Sequence, residues 1–285
     1  MDTQTKILRV FPRRTKATPI DDMVKIGRPD LFMPGADEIH ISVTFTWDIS
    51  EAKELRREYE SIYPGKVKLG GPALGTFAGE FEPGRYLREG YTITSRGCPN
   101  KCPFCLVPKR EGRLREIDIR NGWNVQDNNL LACSHEHFEC VIEMLKLQKC
   151  PAEFSGGLEA CRITDWHISK LKEIRINQMF LAWDRPQDYR TVLNAIERLR
   201  TAGFKQRQIR CFVLSGFGND TPRKANARCE KLFKLGALPF MMLYQPDDKR
   251  INYDGEWKPL RRQWTRPAAT FAYMNELGGR NALRY

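Results

Sequence analysis

Three cysteines lie within eight residues of one another, in the segment Ser95-Arg-Gly-Cys98-Pro-Asn-Lys-Cys102-Pro-Phe-Cys105. Their C-x3-C-x2-C spacing, directly after a predicted strand at 91–96, places three thiolates on one short loop. Such a loop can hold an iron–sulfur cube, and because a [4Fe–4S] cluster normally takes four cysteines, three leave one iron open to another molecule. A structural zinc site would need a second ligand pair at suitable spacing, which the sequence lacks. The triplet therefore predicts a cluster loop, with zinc or free thiols as the alternatives.

After residue 90 the chain alternates between segments with strand character and segments with helix character. We expect strands at 91–96, 124–131, 152–154, 179–183, 209–214 and 238–244, and helices at 135–149, 164–174, 189–202 and 222–235. This alternation predicts parallel strands with the helices outside. In such folds the chemistry gathers at the carboxyl ends of the strands, so the candidate site residues are those that follow each strand.

The cysteine triplet, with Phe104 before its last member, resembles the signature of the radical S-adenosylmethionine (radical SAM) superfamily. The resemblance implies an α/β fold, a partial (β/α)6 barrel over residues 91–245. In that family the open iron chelates the amino and carboxylate groups of S-adenosylmethionine. An electron from an external donor then cleaves this cofactor to a 5′-deoxyadenosyl radical, which abstracts hydrogen from the substrate. The protein binds, orients and shields these groups, and the resemblance places Phe104 against the adenine.

Polar residues after the second and third strands are candidate cofactor ligands. The resemblance implies that Asn129, or its neighbour Asn128, binds the methionyl amino group, since many members have a G-G-E-like motif at this place. An ordinary turn at a strand end also favours Asn. Glu159 and Arg162 follow a Gly-Gly turn and are expected to reach the substrate or the carboxylate of S-adenosylmethionine. The alternative for this pair is a salt bridge on a surface turn.

The fourth and fifth strands end in two further candidates. Asp184 is expected to accept hydrogen bonds from ribose hydroxyls, with a helix N-cap as the alternative. Arg185 can make a forked contact to a carboxylate. Gly216 lies in Ser215-Gly-Phe-Gly218, which resembles the glycine turn that lets the backbone lie against adenine in this superfamily.

Two segments flank the predicted barrel. Within residues 1–90, prolines at 12, 19, 29 and 34 predict an irregular arm up to about residue 34, and residues 38–69 predict a strand, a helix and a strand. This unit resembles a trimmed cobalamin-binding-like domain. The D-x-H-x-x-G motif of the cobalamin-binding members is absent, so bound cobalamin is not expected. Residues 246–285 are expected to form an extension that caps the barrel.

The six remaining cysteines do not form a second closely spaced triplet, so an auxiliary cluster is not expected. They are Cys133, Cys140, Cys150, Cys161, Cys211 and Cys229. Cys140 and Cys229 lie in predicted helices at positions that look apolar, and both are expected to be buried. Nine cysteines in a chain of 285 residues fit a reducing compartment, the cytoplasm, and no apolar stretch suggests a membrane segment.

The chain is basic, with 47 Lys and Arg against 35 Asp and Glu. This excess predicts an anionic substrate or partner, with RNA, DNA and phosphorylated metabolites as candidates, although a solvated basic face is also possible. The cysteine loop carries part of the charge at Lys101, Lys109, Arg110, Arg113 and Arg115. Residues 97–113 resemble the corresponding loop of tRNA and ribosomal-protein methylthiotransferases. The alternative to a radical SAM enzyme is a non-catalytic iron–sulfur or zinc protein that binds nucleic acid; the sequence indicates no oligomeric state.

Overall fold

The structure is a computed structural model that describes residues 5–76, 80–247, 250–253 and 255–282. The strands form a four-stranded parallel sheet, a six-stranded parallel sheet and one short antiparallel pair. The first sheet has the order β2-β1-β3-β4, with α1 between its last two strands. Its elements are β1 (Ile7–Phe11), β2 (Val24–Ile26), β3 (Glu38–Ser42), α1 (Ile49–Ile62) and β4 (Val67–Gly70).

The unit predicted at 38–69 is confirmed as β3, α1 and β4, but the irregular arm predicted before it is wrong. Both β1 and β2 lie within residues 1–34 and pair in parallel. The prolines at 12, 19 and 29 fall outside these two strands, so they remove no N–H group from the pairing. Leu8 and Val10 of β1 are fully buried in a core that the first sheet shares with α1.

The second sheet follows residue 90. In chain order the elements are β5 (Tyr91–Thr92), β6 (Ser95–Arg96), α2 (Val107–Arg110), β7 (Arg115–Glu116), β8 (Asn124–Val125), α3 (His135–Lys146), β9 (Ala152–Phe154), α4 (Asp165–Lys172), β10 (Ile176–Ala182), α5 (Tyr189–Thr201), β11 (Ile209–Ser215), α6 (Pro222–Lys234), β12 (Leu238–Leu243), α7 (Trp257–Thr265) and α8 (Pro267–Ala282). The sheet order is β5-β8-β9-β10-β11-β12, and every neighbouring pair is parallel. The predicted parallel α/β arrangement is confirmed, and all six carboxyl ends meet at one edge.

Two predicted strands are shorter than expected. The segment 91–96 divides into β5, which belongs to the six-stranded sheet, and β6, which pairs with β7 instead. The segment 124–131 ends as a strand at Val125, and a turn of 3-10 helix covers Leu130–Ala132. The polar residues 126–129, between Val125 and this turn, use their side chains to hold other loops, as described below.

The face of the helix on which each cysteine lies determines whether the cysteines predicted to be buried are buried. Cys229 on α6 is fully buried, as predicted, but Cys140 on α3 is exposed. Helix α3 buries Phe138, Val141 and Ile142, and position 140 falls on the solvent side of that stripe.

The last two helices pack beside the end of the six-stranded sheet. Trp264 of α7 is fully buried, and its indole Nε1 donates a 2.7 Å hydrogen bond to Asn226 Oδ1 on α6. The hydroxyl of Thr265 donates to the carbonyl of Met241 on β12 at 3.4 Å. Among the described residues, no helix has the length and apolar character that crossing a bilayer requires.

Candidate functional site

The three cysteines lie on a loop whose two ends are joined by the antiparallel pair β6–β7. Ser95 pairs with Glu116 and Arg96 with Arg115. Further into the loop, the N–H of Cys98 donates to the carbonyl of Gly112 at 3.3 Å. The pairing holds the loop closed at its base, beside the carboxyl ends of the parallel strands.

All three thiols are free and partly buried. Burial raises the pKa of Cys102, and Cys105 and Cys98 raise it further. Burial also raises the pKa of Cys105, and Cys98 contributes to that shift. These mutual effects show that the three side chains lie near one another. Because metal binding requires thiolates, a bound cation would release their protons.

The spacing of the three sulfur atoms bears on which metal group fits. Within the described part of the chain, these three cysteines do not form a group whose ligand atoms all lie within 4.8 Å of one another. One zinc ion at about 2.3 Å from each sulfur would require such closeness. In a four-iron cube each thiolate binds a different iron, so the sulfurs stand farther apart. Three thiolates on one loop are the donor set that such a cluster takes.

Three consecutive residues after β8 hold the chain that leads into the cysteines. The carboxylate of Asp127 accepts hydrogen bonds from the N–H of Thr94 at 2.7 Å and from its hydroxyl at 2.6 Å, and a third from the hydroxyl of Ser95 at 2.7 Å. Asn128 Oδ1 accepts from the N–H of Gly97 at 2.9 Å. We call residues 127–129 the strand-end clamp.

The last residue of the clamp joins the cysteine loop to the third predicted site. Asn129 is buried, and its Nδ2 lies 3.5 Å from Cys98 Sγ and donates to Glu159 Oε2 at 2.7 Å. Asn100, from the cysteine loop, donates to Glu159 Oε1 at 2.8 Å, and Arg162 Nε donates to Oε2 at 2.6 Å. The amide oxygen of Asn129 is buried and has no hydrogen-bond partner. This oxygen is therefore an unpaired acceptor on a residue that also lies close to Cys98 Sγ.

Glu159 is charged at neutral pH. Burial acts to raise the pKa of its carboxyl group, but the hydrogen bonds donated by its neighbours outweigh burial and leave the pKa below its ordinary value. The predicted salt bridge of Glu159 with Arg162 forms, and it is partly buried at the site.

Asp184 and Arg185 follow β10 on the other side of the cysteine loop. Burial raises the pKa of Asp184 to about 6, and its Oδ1 accepts from the N–H of Leu214 at 3.3 Å. Asp184 does not cap α5, because the residue at that N-cap is Asp188. Arg185 makes its forked contact to Asp188, at 3.0 and 2.8 Å, and lies close enough for its charge to act on Cys102.

An aromatic group covers a third side of the loop. Phe104 packs edge-on against Phe217 with ring centroids 5.5 Å apart, and Phe217 contacts Tyr244 at 4.8 Å. Gly216 has a φ of 79°, and a Cβ there would overlap the hydroxyl of Tyr253 and lie 2.7 Å from Cε1 of that ring. Tyr253 therefore requires glycine at 216, a reason that the sequence did not indicate.

A second group of metal-binding residue types lies behind the loop. One ligand atom each of Asp127, Cys133 and His137 lies within 4.8 Å of the others. The carboxylate of Asp127 is already saturated by Thr94 and Ser95, and His137 Nε2 lies 3.2 Å from the hydroxyl of Thr94. These contacts explain the group as an anchor for the segment before the cysteines.

Sequence reasoning missed Asn100 and the separate role of Asp127. Asn100 lies within the cysteine motif. Asp127 begins the Asp-Asn-Asn run, in which a role was predicted for Asn128 and Asn129 alone. The signal was a run of three short polar residues at a strand end. Such residues hydrogen-bond neighbouring backbone readily.

The fold has a counterpart among solved structures. The fold is similar to that of a radical SAM enzyme. The structure is that of the radical S-adenosylmethionine methyltransferase TsrM from Kitasatospora setae, solved with cobalamin and a [4Fe–4S] cluster bound. The TM-score is 0.59 at 12% sequence identity, over 84% of this chain and 75% of TsrM. No protein-family model matches the sequence, and no curated protein is significantly similar to it.

Proposed function

We propose that this protein is a radical SAM enzyme in which Cys98, Cys102 and Cys105 hold a [4Fe–4S] cluster. The observation that carries the proposal is three free thiols close together on one loop, at the carboxyl edge of a parallel sheet in a fold that is similar to that of TsrM. When bound and reduced by an external donor, such a cluster cleaves S-adenosylmethionine to a 5′-deoxyadenosyl radical. The chain's own residues bind, orient and shield.

The residues around the loop have distinct tasks in this proposal. The open amide oxygen of Asn129 accepts from the amino group of the methionyl part, and Arg162, held by Glu159, faces its carboxylate. Asp184 accepts from the ribose hydroxyls, and Phe104 lies against the adenine. In the ligand-free protein Arg185 is held by Asp188, so its forked contact to a carboxylate would require that pair to open. The backbone at Gly216 borders the adenine.

We further propose that residues 91–245 form the partial (β/α)6 barrel, with residues 1–90 as a separate N-terminal unit and 246–285 as a capping extension. Two hydrophobic cores support the boundary between the N-terminal unit and the rest of the chain. One contains Leu8 to Ala73, and the other contains Val125 to Met274.

Cobalamin is not part of the proposal, although TsrM contains it. His40 is the single histidine in residues 1–90, and both of its ring nitrogens are engaged, by the hydroxyl of Tyr86 and by Glu38. A cobalt ligand from this side chain would have to break one of these bonds. Cobalt analysis of protein purified from cells supplied with cobalamin is expected to show none.

The central test is anaerobic reconstitution with iron and sulfide, followed by dithionite and S-adenosylmethionine. We expect 5′-deoxyadenosine and methionine by chromatography. Cys102→Ala should lose this product and most of the cluster absorbance, whereas Cys140→Ala, which removes an exposed thiol on α3, should retain both. A cluster that forms without any cleavage, or cleavage that survives in Cys102→Ala, would refute the proposal; the first result would favour a non-catalytic iron–sulfur protein.

A further inference from the structure

A large cavity lies over the inner face of the six-stranded sheet. Its volume is about 1520 Å³. Residues of the N-terminal part of the chain, including Phe11 and Thr44, also line it. Four lining side chains form one row across the sheet: Gln126, Ser155, Phe180 and Arg210. The register shows this alignment, because Phe180 pairs with Arg210, and the residues just before Gln126, Ser155 and Phe180 pair with one another.

Arg210 has no partner for its charge in the part of the chain that the structure describes. The side chain is only 8% exposed, and its Nε is buried without a hydrogen-bond acceptor. The guanidinium lies 5.4 Å from the ring centroid of Phe180 and 5.5 Å from that of Phe240. Two aromatic rings stabilise a cation partly, but they offer no acceptor for its N–H groups. Buried charges in proteins are normally paired, because an unpaired one is costly.

Two of the three acidic residues that line the same cavity, Asp48 and Glu153, are engaged elsewhere, and the third, Glu89, is exposed. Asp48 forms an ion pair with Arg13. Glu153 accepts hydrogen bonds from three amide side chains, those of Asn124, Asn177 and Gln178. Lysine and arginine side chains outnumber the acidic ones along the cavity wall, so the space around Arg210 favours a negative ligand.

We propose that Arg210 binds the carboxylate or phosphate of a small organic anion whose apolar part packs against Phe180 and Phe240. That this anion is the substrate rests on the proposed function. In sequence, Gln126 and Ser155 come three and four residues before Asn129 and Glu159. The Gln126 end of the row therefore leads toward the residues assigned to S-adenosylmethionine, whereas Arg210 lies near the start of β11, five residues before Ser215 at its carboxyl end.

The test measures thermal unfolding of the full chain with matched pairs of probes. Benzoate and benzamide form one pair, and phenyl phosphate and phenol form the other. We expect at least one anion to raise the Tm by about 2 °C or more and its neutral partner to leave the Tm unchanged. The pair that responds distinguishes a carboxylate from a phosphate ligand. Arg210→Met should abolish the shift, and Arg210→Lys should reduce it because the fork is lost.

The ligand-free variants give a second readout. Arg210→Met should raise the Tm without ligand, because it removes an unpaired buried charge while keeping an apolar chain between the rings. The control is Arg207→Met, whose exposed guanidinium lies 5.4 Å from the ring centroid of Phe271; it should keep the anion shift. A lower Tm in Arg210→Met with an unchanged anion shift would mean that the arginine is structural. The proposal would also be overturned if neither benzoate nor phenyl phosphate raised the Tm of the wild type. Neither result bears on 5′-deoxyadenosine formation, which tests the proposed function separately.

Discussion

Gly97 is the position at which one added methyl group should open the base of the cysteine loop and prevent cluster assembly. It precedes Cys98 and has a φ of 79°, a conformation that costs other L residues about 1–2 kcal/mol. A Cβ at this position would overlap the carbonyl oxygen of Arg113 and lie 2.6 Å from its carbon and 2.8 Å from the carbonyl oxygen of Gly112. These atoms belong to the opposite end of the cysteine loop, so the base of the loop would have to open.

The same loop offers a matched control. Gly112 has a φ of 74°, and a Cβ there would meet no atom within 4 Å. Gly112→Ala should therefore cost only the backbone strain, about 1–2 kcal/mol. Gly97→Ala should cost that strain plus one or two hydrogen bonds at the base of the loop, each about 0.5–1.5 kcal/mol, for a sum of about 3 kcal/mol.

The assay compares urea unfolding of the two variants with their iron content after reconstitution. We expect Gly97→Ala to bind much less iron and to lose the visible absorbance of the cluster, while Gly112→Ala loads close to the wild-type level. Equal iron content and equal stability of the two variants would refute the reasoning. That result would show that the base of the loop accommodates a side chain at residue 97 without loss of free energy.

Four further predictions follow from the site. Asn129→Ala should weaken S-adenosylmethionine binding by about 10–100-fold, measured by equilibrium dialysis with the reconstituted protein, because an acceptor for a charged amine is lost; unchanged affinity would remove Asn129 from the site. Asp127→Ala leaves three donors without their acceptor and should lower the free energy of unfolding in urea by about 3 kcal/mol or more, whereas Cys133→Ala, beside it, should cost less. Burial and the nearby His135 lower the pKa of His167 to about 4. The unfolded chain, with a His pKa of about 6.5, then takes up the proton first, so stability should fall as the pH drops from about 6.5 to 4, by up to about 3 kcal/mol, and less in His167→Gln. If nucleic acid is a substrate, gel shifts with RNA or DNA should weaken steeply with salt, and neutralising Lys101 and Arg113 should reduce that slope; no shift at low salt would exclude it.

The order of strands and helices could be predicted because its signals are local. The helix predicted at 189–202 corresponds to α5, and the strand at 152–154 to β9, with ends that agree within a residue. Apolar periodicity and the glycine after a helix are read within one segment. The strands at 7–11 and 24–26 were missed because the prediction rested on the number of prolines up to residue 34. Their positions, which lie outside the two strands, were not considered.

Side-chain partners could not be predicted in the same way, because they join residues far apart in sequence. Asn129 was assigned the role of an acceptor, and in the structure its Nδ2 donates to Glu159, 30 residues away. Arg210 was overlooked within the strand Ile-Arg-Cys-Phe-Val-Leu, although one charge in an apolar strand was the available signal. Whether such a charge is paired depends on the neighbouring strands, and only the sheet register gives that information.

The strand-end clamp connects the two parts of the site, the cysteine loop and the cofactor residues. Asp127 and Asn128 use their oxygens on the chain entering the loop, and Asn129 gives its amide N–H to Glu159 with Cys98 Sγ close by. The neighbours determine which atom each residue uses. Asp127 and Asn128 face N–H and O–H donors and accept through oxygen, whereas Asn129 faces a carboxylate and a sulfur atom and donates through its amide N–H. Turning the Nδ2 of Asn129 toward these acceptors leaves its oxygen free and directed elsewhere. The same rotamer that supports the cysteine loop therefore presents the open acceptor, and a change that releases Glu159 should weaken cofactor binding and loop order together.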